Sequence, residues 1–119
     1  MPIRSAVPRL ADILEAIERV NGVIGGLSVD EFEADWAKRW LVERGIEIVS
    51  EASRHLSADL KARHPDIPWP KVAGIGNVLR HNYERVAAPL SWALVRNELP
   101  GLYRVCRDEL GAKQARQPE

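Results

Sequence analysis

The chain has 119 residues, 45% hydrophobic and 29% charged, the balance of one globular domain rather than of a disordered or fibrous chain. Lysine plus arginine and aspartate plus glutamate both total 17, for a formal net charge of zero; this argues against a free-standing, tight nucleic-acid binder, which draws most of its affinity from a basic excess. One cysteine excludes an intrachain disulfide and a cysteine-built zinc site.

Met1 to Pro8 shows no basic segment followed by an apolar run, so no signal peptide is read there. Pro8 suits the first position of a helix. Leu10, Ile13, Leu14, Ile17, Val20 and Ile24 then recur at three and four residues, the signature of an amphipathic helix, which Gly22, Gly25 and Gly26 weaken and end. Ser28 and Glu31 stand as a capping box, with Leu27 and Phe32 at the hydrophobic-staple positions. No proline follows until Pro65, and Phe32, Trp36, Trp40, Val42, Ile46, Val49, Leu56 and Leu60 carry an apolar stripe. The expectation is one long second helix, bent near Trp36 or Gly45.

Pro65, Pro68 and Pro70 forbid helix between His64 and Pro70. A third helix is expected from Pro70 to about Arg85, through Val72, Ile75, Leu79 and Tyr83. Gly74 and Gly76 lie inside it, at about 2 kcal/mol relative to two alanines, which points to close packing or a site there. Pro89 opens a fourth helix with Leu90, Trp92, Ala93 and Val95. Pro100 restarts a fifth carrying Leu102, Val105, Cys106 and Leu110, and a polar tail follows Gly111. No run alternates as a strand would, no repeat is visible, and no stretch approaches the ~18 consecutive apolar residues of a membrane span. The reading is an all-α, antiparallel four- to five-helix bundle: a single domain over residues 1–119, with an ordered core over 8–111, flexible ends and a cytoplasmic location.

Chemistry concentrates in Asn77-Val78-Leu79-Arg80-His81-Asn82-Tyr83-Glu84. Asn77 and His81 are four apart and share a helix face, as do Arg80 and Glu84 on a neighbouring face. An imidazole in such company suits acid–base work near neutral pH; a surface or interface histidine bonded to a carbonyl is the plainer reading. The second helix adds Arg44, Glu47, Glu51 and Arg54 at three- and four-residue intervals. These form either a solvated ion-pair face or a supporting polar face in which Glu47 and Glu51 turn toward the third helix. Gly74-Ile75-Gly76 has no third glycine and no preceding strand, so it is no dinucleotide fingerprint. His55, His64 and His81 have no metal-ligand spacing. Cys106 reads as an inert core thiol, and Trp36, Trp40, Trp69 and Trp92 as core or interface anchors rather than base-stacking platforms.

Glu47-Ile48-Val49-Ser50-Glu51-Ala52, then Ile67-Pro68-Trp69, then Ala73-Gly74-Ile75-Gly76-Asn77, then His81-Asn82-Tyr83, together with Leu99-Pro100-x-Leu102, resemble the HepT-like branch of the HEPN superfamily. The matching family elements are a Glu-Ile-Ile-Gly-Glu-Ala helix, an Ile-Pro-Trp connector and an Ala-Gly-Met-Arg-Asn-x-x-x-His-x-Tyr segment. The resemblance runs from about Arg9 to Leu110. It implies a helical homodimer whose paired Arg-x(4–6)-His motifs line a cleft between protomers. It also implies a metal-independent ribonuclease acting as the toxin of a toxin–antitoxin pair, with RNA as substrate and no cofactor. The implied partner is a minimal nucleotidyltransferase antitoxin that transfers AMP to a tyrosine. His81 then matches the catalytic histidine, Tyr83 the modified tyrosine, and Asn77 the polar residue after the motif arginine.

The departure is Gly76, five residues before His81, where the family's arginine stands. Attack of a ribose 2′-hydroxyl on the adjacent phosphate needs a proton acceptor and a cation for the charge that grows on the phosphoryl oxygens. Arg80 supplies a guanidinium nearby, about 100° around the helix from His81. The expected site is therefore His81 as acid/base, Arg80 as substitute cation and Asn77 as orienting group. The alternative is a catalytically degenerate dimer that binds partners without cleaving RNA.

Overall fold

The structure is a computed structural model that describes residues 5–81 and 84–116, and of residues 84, 85, 86 and 116 the backbone alone. Seven helices follow one another: α1 (Val7–Ile24), α2 (Val29–Ala34), α3 (Trp36–Arg54), α4 (Ala58–Ala62), α5 (Trp69–Arg80), α6 (Glu84–Asn97) and α7 (Leu99–Arg116). Among the described residues there is no strand, so the all-α architecture holds. No described helix is long and apolar enough to cross a membrane.

The count exceeds five because the expected long second helix is cut twice, each time by a residue that caps a new start. Asp35 leaves the helical region at φ −106°, ψ 95°, and its carboxylate accepts from Lys38 N. Ser57 is extended, and its hydroxyl accepts from Leu60 N at 3.1 Å. Side chains of this type satisfy the free N–H groups of a first turn, which makes a break at either place inexpensive. Gly45 lies inside the unbroken α3. A Cβ there would collide with Val20 Cγ2, so its role is to let α1 and α3 approach. The capping box at Ser28 and Glu31 forms as expected, with bonds of 3.1 and 2.9 Å.

The third helix ends sooner than its periodicity suggests, at Arg80 with His81 as C-cap. Pro89 does not open α6 but lies inside it. A proline removes one ladder bond; here it stands on an exposed position while Ala87, Ala88, Leu94 and Val95 of the same helix are buried. Pro100 does sit in the first turn of α7, and α7 passes through Gly111 to Arg116.

Helix α3 is the spine. It packs against α1 on one side and α5 on the other, while α7 covers α1 and α6 covers α2 and α3. Leu10, Ile13, Ile17, Phe32, Val42, Ile46, Val49 and Leu102 are fully enclosed between them. Phe32 meets the ring of Trp92 at 5.5 Å, and Arg96 lies over that ring at 4.6 Å. Trp69 is buried, its indole N–H shared between the carbonyls of Lys61 and His64, and this fixes the proline-rich connector. Cys106 is buried in α7, and burial pushes its thiol up to about 12. That is the inert core residue expected.

One ion cluster ties the connector to α7. Glu109 receives Arg63 at 2.8 and 3.2 Å and the His64 ring Nε2 at 2.6 Å. The Arg63 guanidinium holds its carboxyl down at about 2, against an ordinary 4.5. A carboxylate lowered on folding stabilises the fold fully above its unfolded value, and that contribution fades as pH drops toward the folded one. Thermal unfolding followed from pH 6 to pH 2 should therefore show wild type losing stability below about pH 4.5. Glu109→Gln should start less stable at pH 6 and converge on wild type by pH 2. Two parallel curves would mean that the cluster contributes nothing.

Candidate active site at the end of helix α5

The site is built from the contact between α3 and α5. The buried Ser50 hydroxyl donates to the carbonyl of Ala73 at 2.7 Å and lies 3.3 Å from the N–H of Gly76. Arg54 reaches the same Ala73 carbonyl with Nε at 3.1 Å and an Nη at 2.8 Å. Ser50 and Arg54 meet Ala73, and Ser50 and Glu47 meet Gly76, so the two helices run antiparallel. A Cβ at position 76 would lie 2.8 Å from Ser50 Oγ and 3.0 Å from Ser50 Cβ. Glycine is therefore what the packing requires at 76, and no arginine side chain starts there without moving α3.

Ala73, Gly76 and Arg80 are three and four residues apart, so Arg80 lies on the side of α5 that faces α3. At the helix end that side is open. Arg80 is exposed and has no ion-pair or hydrogen-bond partner among the described residues. Pairing of Arg80 with Glu84 lies outside the described side chains.

His81 is exposed, and its backbone N–H and its ring Nδ1 both converge on the carbonyl of Asn77, at 3.2 and 2.8 Å. A carbonyl only accepts, so Nδ1 carries a proton. In the neutral ring the lone pair then sits on Nε2, which has no hydrogen-bond partner among the described residues. A fixed Nδ1–H is how a protein selects which imidazole nitrogen acts as base. Asn77 thus orients the ring through its backbone, while its side chain is exposed. Tyr83 and Asn82 lie outside the described residues.

The other expected residues stand apart. Glu51 is exposed and bonds Arg54 at 3.2 Å and His55 at 3.1 Å; the His55 hydrogen bond lowers its carboxyl from the ordinary value. Glu47 pairs with Arg44 at 3.5 Å, and its Cα packs beside Gly76. For these two the ion-pair face describes what is seen, with Glu47 at its border toward α5. The residues that do cross to α5, Ser50 and Arg54, were missed as such. Arg54 was visible in the charged stripe, and Ser50 only as a small polar residue in an apolar run.

A helix end displaying an imidazole with a selected tautomer beside a guanidinium that has no partner among the described residues can take a proton and stabilise an oxyanion. The family model described as "Ribonuclease HepT-like" matches residues 13–109. The "Probable ribonuclease HepT" of Thermococcus cleftensis is 34% identical over 99 residues, covering 83% of this chain and 90% of that protein. The "Putative RNase MJ1380" of Methanocaldococcus jannaschii is 33% identical over 91 residues, 76% of this chain and 84% of that one. A "Putative RNase" of Caldanaerobacter subterraneus is 28% identical over 103 residues, 87% of this chain and 92% of that one. No solved structure matches the chain. The chain belongs to the HepT-like ribonuclease family of the HEPN superfamily.

The packing at Gly76 makes a specific demand. Gly76→Arg should destabilise the chain by roughly 1–3 kcal/mol, the usual cost of overfilling a packed contact. Ser50→Gly combined with Gly76→Arg should recover a large part of that loss. Urea unfolding of the two single variants and the double variant measures the coupling. Simple additivity would show that the Ser50–Gly76 contact does not decide what position 76 tolerates.

Proposed function

We propose that this chain is a metal-independent endoribonuclease of the HepT kind, with His81 and Arg80 as its working residues. The observation that carries the reading is the exposed His81 ring, tied through Nδ1 to the Asn77 carbonyl and following in sequence upon an exposed Arg80 that has no partner among the described residues. In the proposed step, Nε2 takes the proton of a ribose 2′-hydroxyl as its oxygen attacks the adjacent phosphorus. The bond to the 5′-oxygen breaks, and that oxygen leaves with a proton, which the protonated imidazole returns. The products are a 2′,3′-cyclic phosphate and a 5′-hydroxyl. Arg80 donates to the phosphoryl oxygens as charge builds on them. The imidazole and guanidinium together supply base, acid and charge, so the step calls on no cofactor.

The finer reading follows from family membership. The chain acts as the toxin of a toxin–antitoxin pair, works as a homodimer, and is silenced by a nucleotidyltransferase that places AMP on Tyr83. A phosphodiester there puts negative charge where the RNA phosphate must sit. A neighbouring reading frame for such a transferase, and a single adenylyl mass increment lost in Tyr83→Phe, are the expected observations.

The contact at Gly76 favours a second reading, a dimer that has kept the fold and partner binding without cleavage. Incubation of the purified chain with total RNA decides between them. Wild type should yield fragments with cyclic-phosphate ends, His81→Ala none, and Arg80→Ala fragments at a rate lower by about 10²–10³. RNA left intact by wild type would sink the ribonuclease reading in favour of the second.

A further inference from the structure

Among the described residues, Trp36 and Trp40 are the most exposed aromatic side chains, at 60% and 65%. Their rings meet edge to face, with centroids 5.1 Å apart and planes 74° to one another, so neither lies flat against the other. Trp36, Trp40, Glu47 and Arg54 are four, seven and seven residues apart and share one stripe of α3. The later members of that stripe meet α5: the Glu47 Cα lies beside Gly76, and Arg54 bonds the Ala73 carbonyl. The tryptophans thus continue the edge of α3 along which α5 is packed.

Their level relative to the site follows from the same contacts. Ala73 meets Ser50 and Arg54, and Gly76 meets Glu47 and Ser50. With the two helices antiparallel and rising about 1.5 Å per residue, the level of His81 falls on α3 at about residues 43–44. Trp40 stands about one turn beyond it. A strand whose phosphate reaches Arg80 and His81 brings its neighbouring bases toward the indoles.

We propose that Trp36 and Trp40 form a stacking platform for unpaired nucleobases of the RNA, next to the phosphate held at Arg80 and His81. The inference deepens the ribonuclease reading and takes its ligand from it. Charge is what singles stacking out. A chain with 17 basic and 17 acidic residues gains little from counterion release, the usual source of RNA affinity. The flank between the indoles and the site is mixed as well, with Arg44 bonded to Glu47 at 3.5 Å and Glu43 one turn away. Stacking on an aromatic face needs no net charge, accepts any base, and contributes about 5- to 150-fold in affinity per base. Unpaired bases are also the ones that a protein can splay out and stack, as those of a duplex cannot be. A protein partner suits the patch less well. Even with the exposed Leu41 beside them, the indoles offer on the order of 400 Å², about half of the ~800 Å² that one partner gives to a stable interface.

Binding is read apart from cleavage with full-length His81→Ala and a labelled single-stranded oligoribonucleotide, by anisotropy and tryptophan emission across a salt series. The oligonucleotide should quench the exposed indoles. Log affinity should fall with log salt at a slope of only about −0.7 to −1.4, the value for one or two phosphate contacts on a single strand. Adding Trp40→Ala should weaken binding by about 5- to 150-fold at the same slope, and Trp40→Phe by less, since a ring remains. Both positions are exposed, so the variants should keep the circular dichroism of wild type. An oligomer with abasic positions should bind weakly and lose nothing further in Trp40→Ala. Where His81 is kept, Trp40→Ala should raise KM more than it lowers kcat. Full affinity in both Trp36→Ala and Trp40→Ala overturns the platform, as does an abasic oligomer bound as tightly as the complete one. Emission that shifts to the blue with protein concentration and ignores the oligonucleotide assigns the rings to a protein contact and overturns it too. Base-dependent binding by a wild type that leaves RNA intact upholds the platform while removing the ribonuclease reading. Cleavage with KM unchanged in both alanine variants does the reverse.

Discussion

The hydroxyl of Ser50 is a small group in the α3–α5 contact, and the placement of α5 depends on it. It sits between two backbones, donating to Ala73 and within reach of the Gly76 N–H. Arg54 adds two more donors to the same carbonyl. These hydrogen bonds come from the side chains of one helix to the main chain of another. They fix the depth, direction and rotation of α5, and so where its last turn emerges. They also take the space in which a side chain at 76 would begin.

The site follows from that constraint. A cation cannot stand one turn before the histidine on the packed side, so the guanidinium available to the same helix end is Arg80, where α5 has run past its cover. The histidine needs no carboxylate to orient it, because the Asn77 carbonyl, which already accepts the His81 backbone N–H, takes the ring Nδ1–H as well. A carbonyl has two lone pairs, and a ring at the C-cap can use the second. Glu47 and Glu51, which a carboxylate–imidazole arrangement would recruit, are instead paired with Arg44 and with Arg54 and His55.

The sequence made some of this legible and hid the rest for physical reasons. The capping box at Ser28, the restart at Pro100 and the buried faces of α1 and α3 are local patterns, and they formed where their spacing put them. The breaks at Asp35 and Ser57 were encoded just as locally, in two good N-cap residues, but an uninterrupted apolar stripe outweighed them. Periodicity ran on to Arg85, whereas α5 stops at Arg80; nothing in a 3.6-residue repeat records where a helix leaves its support. The Ser50–Gly76 contact joins residues 26 apart, and no spacing within either helix reveals it. For the same reason Trp36 and Trp40 looked like ordinary members of a core stripe. In the fold both are exposed, at 60% and 65%.

The account depends on His81 holding its proton on Nδ1, facing the Asn77 carbonyl, with Nε2 free to act as base. A long-range proton–nitrogen correlation spectrum of the intact chain, recorded above the ring's titration, reads that directly. The account predicts a protonated, pyrrole-type Nδ1 and an unprotonated Nε2 for His81, unchanged in Arg80→Ala. A neutral ring carrying its proton on Nε2 would contradict it, because the proposed base would then have no lone pair to offer.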